Sequence, residues 1–266
     1  MSYAMGMRTR LLAPIAPTSH KYLRGRVGII AGSDKYPGAA VLCVGGARRG
    51  GAGYIKFFDT YSFDSNLFSN TPSRATNLVL QRYPDVVALR KFSSTDCDAI
   101  VVGSGSPKIR SIPFAPFTVL DSSAMKRASK VSKNSIIIMT PHEGEARELG
   151  FDTSDREECA RKMAQEFSAY VVLKGAKTII AARSGLLHVD KNGSSDLSTA
   201  GTGDILAGLI GSMLASWQPD SDEQIIEVIA YAVKAHGLAG KLAATQGLPV
   251  VATDILDALP KIFLKN

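Results

Sequence analysis

Cysteines and long apolar runs are scarce in this 266-residue sequence, and each scarcity excludes a class of protein. The three cysteines, Cys43, Cys97 and Cys159, lie far apart and lack the spacing of a metal or redox motif. They predict a chain without disulfides in a reducing cytoplasm. No uncharged apolar run reaches the roughly 18 residues that a membrane-spanning helix needs. The apolar run after Arg8 and Arg10 is too short for a signal peptide, so we expect a cytoplasmic protein without a membrane partner.

Acidic residues are outnumbered by basic ones, which gives a formal net charge of +7. A nucleic-acid-binding surface would need basic residues clustered on one face. The basic residues are scattered here, apart from a group expected on a solvated helix face: Lys126, Arg127, Lys130 and Lys133. We therefore predict no nucleic-acid partner. The charge fits a basic soluble enzyme, or attraction of polyanionic small molecules.

Repeats, low-complexity segments and linkers are also missing. With 45% hydrophobic and 21% charged residues, the chain can bury a large core. Its length fits one large α/β domain or two small ones. Because no linker divides it, we predict a single domain over residues 1–266.

A strand–helix–strand unit is visible near the N-terminus. Residues 27–31 form a short apolar run, small residues from Gly38 to Arg49 form a helix, and residues 54–58 form the next strand. This order predicts a parallel sheet. The G-x-G-x-x-G fingerprint of dinucleotide-binding oxidoreductases is missing after the first strand, where residues 32–38 read GSDKYPG. We therefore exclude a Rossmann oxidoreductase.

The most informative stretch is STAGTGD at residues 198–204, which leads into an apolar helix over residues 205–215. Gly201 and Gly203 allow a sharp turn and a close approach to a ligand. The amides of the first helical turn lack internal partners and lie at the positive end of the helix dipole, so they attract a phosphate. Asp204 would repel that anion unless it takes a proton from an attacking hydroxyl. The alternative is that Asp204 caps the helix, and spacing alone leaves both open.

Residues 200–204, AGTGD, followed by an apolar helix that contains glycine, resemble the signature of the ribokinase-like superfamily. Three further segments narrow the resemblance to the ADP/ATP-dependent NAD(P)H-hydrate dehydratases. They read AGS … GAA at residues 31–40, TPHxxE at 140–145 and KGAxTxIA at 174–181. The resemblance covers about residues 20–260 and implies an α/β fold of three layers, α/β/α, with a mostly parallel sheet.

The resemblance also implies roles for individual residues. Asp204 would be the catalytic base, beside an anion hole formed by Gly201, Thr202 and Gly203. The hydrated nicotinamide nucleotide would contact Ala39, Gly103, Gly105, His142 and Asp204. ADP or ATP would contact Lys174, Gly175, Ala176, Lys177, Thr178 and Gly203. Glu145 would either orient water around Mg²⁺ or favour the helix N-terminus, whereas His188 and His236 are expected to be structural.

Three positions depart from the family pattern. Ser104 stands within a segment that is usually Gly-Pro-Gly, and Ser123 replaces the second acid of a segment that resembles LDADAL. Residues 194–197 lack the usual Asn, Gly and Pro. We therefore assign no role to a second carboxylate at residue 123 or to this loop.

The implied function is repair of hydrated NADH and NADPH. Their S form would be dehydrated back to NAD(P)H while ADP is converted to AMP and phosphate, with Mg²⁺ as cofactor and ATP as the other possible donor. Relatives form homotetramers or larger assemblies, so we expect a homo-oligomer, a tetramer. The separate epimerase domain of some relatives is not expected in a chain of this length.

Two alternatives remain open from the sequence. A ribokinase-like small-molecule kinase, acting on a vitamin precursor or a sugar hydroxyl, would share the anion hole and the base. The AGS … GAA and TPHxxE segments favour the dehydratase over it. A binding module that responds to nucleotides would not need Asp204, because a neutral residue would favour anion binding more.

Overall fold

The computed structural model describes residues 11–59, 72–89, 96–106, 109, 111–247 and 249–265. The strands are β1 Arg26–Ile30, β2 Tyr54–Phe58, β3 Val87–Leu89, β4 Ala99–Val102, β5 Phe117–Leu120, β6 Ile136–Met139, β7 Tyr170–Leu173, β8 Thr178–Ala181 and β9 Leu187–Asp190. The α-helices are α1 Pro37–Ala47, α2 Arg74–Arg82, α3 Glu143–Glu148, α4 Arg156–Glu166, α5 Thr202–Trp217, α6 Asp222–Ala244 and α7 Ala252–Lys265. Two short segments, Ser122–Lys130 and Ser195–Leu197, are 3₁₀ helices.

The described strands form one sheet in the order β3-β2-β1-β4-β5-β6-β7-β8-β9. Every pair from β3 to β7 is parallel, and only β7–β8 and β8–β9 are antiparallel. The central strands β4 and β5 are buried along their whole length because both faces of a parallel sheet are covered, and Thr118 is their one polar residue. The prediction of a mostly parallel sheet is confirmed.

Helices cover the sheet on both faces and enclose two apolar cores. On one face α1, α2, α5, α6 and α7 share one apolar core, in which α5 packs on the strands that carry Val101 and Val119. On the other face, Met125 of the first 3₁₀ helix and Met163 of α4 pack beside Ile100. The three-layer α/β/α architecture predicted from the sequence is therefore confirmed. No helix in the described ranges has the length and apolar character needed to cross a lipid bilayer.

Helix α5 lies at the centre of the larger core, and glycines let it pack directly against α1. A β-carbon on Gly208 would lie 1.9 Å from the carbonyl oxygen of Cys43, and one on Gly46 would lie 2.1 Å from that of Ile205. Backbone therefore meets backbone at both contacts, with no room for a methyl group. This crossing fixes where the N-terminus of α5 lies relative to α1.

Most predicted elements are confirmed, with small shifts at their ends. The helix predicted from Gly38 to Arg49 is α1, the strands expected at residues 27–31 and 54–58 are β1 and β2, and the apolar helix over residues 205–215 is α5. Residues 11–24 contain no helix and form an irregular arm. Asp155 caps α4, because its carboxylate accepts the amides of the first helical turn.

We predict that Gly208→Ala destabilises the protein by roughly 2–4 kcal/mol, because the added methyl group meets the Cys43 carbonyl and forces α1 and α5 apart. Urea unfolding followed by circular dichroism measures this. Gly38→Ala is the matched control: nothing lies within 4 Å of its added carbon, so its stability should stay within about 1 kcal/mol of the parent. Equal stability of the two variants would contradict the close crossing.

Candidate active site

The predicted site residues lie at the carboxyl ends of the parallel strands. Gly103 follows β4, Asp121 follows β5, His142 follows β6 by three residues and Lys174 follows β7. Ligands of open α/β sheets bind at this edge, since the loops after the strands converge there. The N-terminus of α5 reaches the same edge, because Gly201 packs against Leu42 of α1.

The N-terminus of α5 presents free backbone amides. Gly201 precedes the helix with a φ of +94°, a conformation that glycine adopts without strain. The Thr202 hydroxyl holds the preceding loop in place, because it lies within hydrogen-bond distance of the carbonyls of Leu197 and Thr199 and shares its one proton between them. The first-turn amides therefore stay available for an anion at the positive end of the helix dipole. A β-carbon on Gly203 would lie 3.3 Å from the Lys174 ammonium, so this cation lies at the same helix end.

His236 of α6 supports this helix end from behind. Its Nε2 lies 3.0 Å from the Thr202 carbonyl oxygen, which can only accept, so Nε2 carries the proton. Burial lowers the pKa of His236 to about 4, and the ring is neutral at pH 7. His236 is buried, holds the first peptide of α5 and also lines the cavity described below, so its purely structural role stays a prediction.

A cavity of about 520 Å³ opens beside the α5 N-terminus. It is lined by predicted residues of three segments, namely His142, Lys174, Gly175, Ala176, Thr178, Gly201, Thr202 and Gly203. Leu206, Val233 and Gly237 add an apolar wall, and Ser194, Ser195 and Leu197 close another side. Lys177 is exposed and does not line this cavity. The structure thus brings together most of the residues predicted for the nucleotide and the anion hole.

Lys174 is held in place by carboxylates. Its Nζ lies 3.2 Å from Asp121 Oδ1 and 3.7 Å from Glu145 Oε2. Asp121 is 2% exposed and also accepts hydrogen bonds from the hydroxyls of Ser104 and Thr140. Burial acts against the charged lysine, but the two carboxylates outweigh it and raise the pKa of Lys174. The lysine therefore keeps its charge at the edge of the cavity.

Asp204 has the pKa of a group that can exchange a proton near neutrality. Burial and then the charge of Asp121 raise the pKa of Asp204 to about 7, while Lys174 and the Ser104 hydroxyl act in the other direction. Glu145 also raises it, and Cys43 of α1 is a further titratable neighbour. A pKa close to the working pH is what a general base needs.

The residues predicted for the hydrated nucleotide form a second group beside the cavity. A β-carbon on Gly105 would lie 2.5 Å from the β-carbon of Ala39, so these two residues touch. Gly103 and Gly105 both have positive φ, and a β-carbon on Gly103 would lie 1.9 Å from the Asp121 carbonyl oxygen. Ser104, between them, is fully buried and points at the carboxylates.

Glu145 and His142 form a reciprocal cap on α3. The Glu145 carboxylate accepts the His142 amide at 2.8 Å, and His142 Nδ1 accepts the Glu145 amide at 3.1 Å. The alternative in which Glu145 favours a helix N-terminus is therefore observed. Its Oε1 also accepts a bond from Ser122, so this carboxylate is largely occupied within the protein.

Sequence reasoning missed the supporting contacts of four residues. Asp121 is the first acid of the segment that resembles LDADAL, and an acid at a strand end is the signal that could have placed it beside Lys174. Thr140 and Ser104 were noted within motifs, but their bonds to Asp121 depend on three strands that meet in the fold. No sequence pattern indicated that His236 reaches the Thr202 carbonyl.

The fold is ribokinase-like: a three-layer α/β domain in which the N-terminus of α5 and the carboxylate of Asp204 lie at the carboxyl edge of a mostly parallel sheet. A ribokinase-like superfamily protein from Enterococcus faecalis has the same fold, with 24% identity and a TM-score of 0.77 over 96% of this chain and 92% of its own.

The sequence model described as NAD(P)H-hydrate dehydratase matches residues 27–261, and the chain belongs to this family. The chain is 34% identical over 219 residues to the bifunctional NAD(P)H-hydrate repair enzyme Nnr of Gloeobacter violaceus, which covers 74% of this chain and 42% of that protein. It is 31% identical to Nnr of Corynebacterium glutamicum over an alignment of 288 residues with gaps, which covers 92% of this chain and 48% of that protein. The chain thus spans about half the length of these curated relatives.

A solved structure of the same family is also similar. The ADP/ATP-dependent NAD(P)H-hydrate dehydratase of Bacillus subtilis, co-crystallised with ATP and Mg²⁺, superposes with a TM-score of 0.79. The two chains are 25% identical, and the match covers 95% of this chain and 94% of the other.

We predict that Asp204→Asn raises the thermal stability and that the gain depends on pH. The Asp204 carboxyl has an ordinary pKa of 3.8 and a pKa of about 7 in the folded protein. Between these values the unfolded chain carries the charge in water, whereas folding must bury the charge or take up a proton. Both lower the stability of the parent. The stability gap between the variant and the parent should widen from about pH 4 to pH 7 and then level off, at several degrees. Thermal unfolding across this range measures it.

Asp257→Asn is the control, because this carboxylate is exposed on α7 and its replacement should leave no such gap. A constant offset between Asp204→Asn and the parent at every pH would show that Asp204 is not titrating near neutrality.

Proposed function

We propose that this protein dehydrates the S form of hydrated NADH and NADPH back to NAD(P)H, using ADP or ATP as phosphoryl donor. Family membership supports the substrate class. The observation that carries the proposal is the position of Asp204. It lies in the first turn of α5, directly after Gly203, which lines the cavity and whose added β-carbon would lie 3.3 Å from the Lys174 ammonium. Asp121, which accepts the Ser104 hydroxyl between Gly103 and Gly105, is its charged neighbour on the other side. A base in that position can serve a nucleotide on one side and a hydroxylated ring on the other.

The proposed chemistry turns a poor leaving group into a good one. Asp204 accepts the proton of the ring hydroxyl, and the oxygen attacks the terminal phosphorus of the nucleotide, which leaves as AMP from ADP or as ADP from ATP. The amides of Gly201, Thr202 and Gly203 stabilise the charge on the transferred group. The ring nitrogen then expels phosphate from the carbon, and loss of a proton from the neighbouring carbon restores the double bond of NAD(P)H.

The nucleotide would lie in the cavity with its terminal phosphate at the anion hole. Lys174 supplies a fixed positive charge there, because its carboxylate partners hold the ammonium beside Gly203. Gly175, Ala176 and Thr178 would contact the rest of the nucleotide, and Lys177 would reach it only through its flexible side chain. His142, at the cavity rim, would contact the hydrated substrate together with Ala39, Gly103 and Gly105.

The carboxylates of the site fit a magnesium ion that enters bound to the nucleotide better than a metal ion that the protein holds permanently. The described part of the chain has no group of three or more His, Cys, Asp or Glu side chains arranged to hold a metal ion. Mg²⁺ in nucleotide sites is bound by phosphates and water with one or two carboxylates. Glu145 would be the carboxylate that reaches it, through water. When bound, the ion would neutralise charge on the phosphates.

The site would act in a cytoplasmic homo-oligomer, a tetramer by analogy with the family. All three cysteines are buried and free, which fits a reducing compartment. Analytical ultracentrifugation of the purified chain measures the assembly, and a monomer at micromolar concentration would contradict this part of the proposal.

The activity test follows the absorbance of NADH. Incubation with hydrated NADH, Mg²⁺ and ADP or ATP should restore that absorbance and release phosphate, and the rate should rise with pH through about 7 as Asp204 loses its proton. Asp204→Asn should lower kcat by roughly 10²–10⁴-fold while ADP still binds in isothermal titration calorimetry.

Two results would contradict the proposal. Full activity of Asp204→Asn would remove the assigned base. Absence of NADH recovery with both nucleotides, together with a stable phosphorylated product from a vitamin precursor or a sugar, would identify a kinase of the same fold instead.

A further inference from the structure

Arg156 is the first residue of α4, and its guanidinium group lies beneath the segment 174–178 that lines the cavity. Nη1 donates to the Lys177 carbonyl at 2.7 Å. Nη2 lies 3.3 Å from the Leu173 carbonyl oxygen and 3.2 Å from that of Lys174. One side chain therefore binds three carbonyls at the two ends of this segment.

These contacts fix the direction of the peptide groups. In a trans peptide the carbonyl and the following amide point to opposite sides, and the described chain has no cis peptide. The Leu173 carbonyl points at Arg156 while the Lys174 amide donates to the Pro141 carbonyl at 2.8 Å, so that peptide is held from both sides. The Lys174 carbonyl also points at Arg156, so the Gly175 amide points away from it, towards the side on which Gly175 lines the cavity.

The backbone of Gly175 also lies against the guanidinium group of Arg156. A β-carbon at this residue would lie 2.4 Å from Arg156 Nη2, which leaves no space for a methyl group while the guanidinium keeps its bonds. The short distance explains why the segment turns at a glycine directly above Arg156.

Arg156 also connects this segment to α3. Its Nε lies 2.9 Å from Glu143 Oε1, a contact of opposite charges, and Glu143 is the first residue of the helix that His142 and Glu145 cap. The guanidinium is about three-quarters buried, which strengthens its interactions with carbonyls and carboxylate. A single cation thus joins two of the segments that line the cavity.

We infer that Arg156 is a positioning residue that holds segment 174–178 in the shape that binds the diphosphate of the nucleotide. It reaches that ligand only through the backbone it supports. The inference rests on the proposed nucleotide site, and it assigns a function to a residue that sequence patterns place merely at a helix start.

The test measures ADP binding by isothermal titration calorimetry in the parent, Arg156→Ala and Arg161→Ala. Arg161 is the matched control, because it lies on the same helix and its Nη1 binds the Gly185 carbonyl in the β8–β9 turn, away from the cavity. We expect Arg156→Ala to raise the ADP dissociation constant roughly tenfold to a hundredfold. Arg161→Ala should stay within about twofold of the parent, because its contact does not shape the cavity.

Steady-state kinetics separates positioning from general destabilisation. In Arg156→Ala the KM for ADP should rise, whereas kcat at saturating ADP should change by less than about threefold, because Arg156 contacts neither Asp204 nor the anion hole. A variant that was merely unstable would lose active protein, and so lower kcat at unchanged KM.

Two further variants keep the inference testable if Arg156→Ala fails to fold. Arg156→Lys keeps the charge but cannot span three carbonyls, so we expect an ADP affinity between those of the parent and Arg156→Ala. Gly175→Ala should weaken ADP binding in the parent but add little in the Arg156→Ala background, where the methyl group has room.

Each possible outcome supports or overturns the inference about Arg156. Parent-like ADP affinity in Arg156→Ala or in Arg156→Lys would overturn the inference and leave the proposed function standing. Additive losses in the double variant would also overturn it. If the parent itself bound neither ADP nor ATP, the proposed function would fail first and the inference with it.

Discussion

The direct contact between the backbones of α1 and α5 is the constraint on which the site depends. Gly46 and Gly208 allow the two helices to touch where any side chain would keep them apart. Helix α5 is thereby pressed between α1 and the centre of the sheet, and its N-terminus emerges at the edge where the parallel strands end. An anion hole at this position requires no special residue beyond the glycines, because its donors are backbone amides whose direction the helix fixes.

The electrostatic surroundings of Asp204 then set its affinity for a proton. Its neighbour Asp121 accepts two hydroxyl donors and the Lys174 ammonium. Asp204 is half-buried beside that carboxylate, and burial together with Asp121 raises its pKa to about 7. A carboxyl group with a pKa near the working pH is suited to accept a proton. Ser104 takes part in this arrangement, although it departs from the family pattern at its position.

The cavity beside the N-terminus of α5 is lined mainly by loops, and each loop is held by a contact with a rigid element. The segment after β7 is supported by Arg156 of α4, the loop before α5 by the Thr202 hydroxyl, and the first peptide of α5 by His236 of α6. None of these supporting groups has to touch a ligand. A preformed site of this kind lowers the entropy lost when a flexible phosphate chain binds.

The sequence by itself determined the parallel sheet and the glycine turn before α5, because apolar periodicity and glycine positions are local properties. The three-layer α/β class followed from the family resemblance. Motif resemblance also located most of the cavity wall, from His142 to Gly203. The tertiary structure alone decided that Lys174 pairs with Asp121, that Asp204 lies beside both, and that Arg156 binds the backbone carbonyls of segment 174–178. These contacts join residues 17 to 83 positions apart in the printed sequence, and the pKa of Asp204 depends on burial that only the packed helices create.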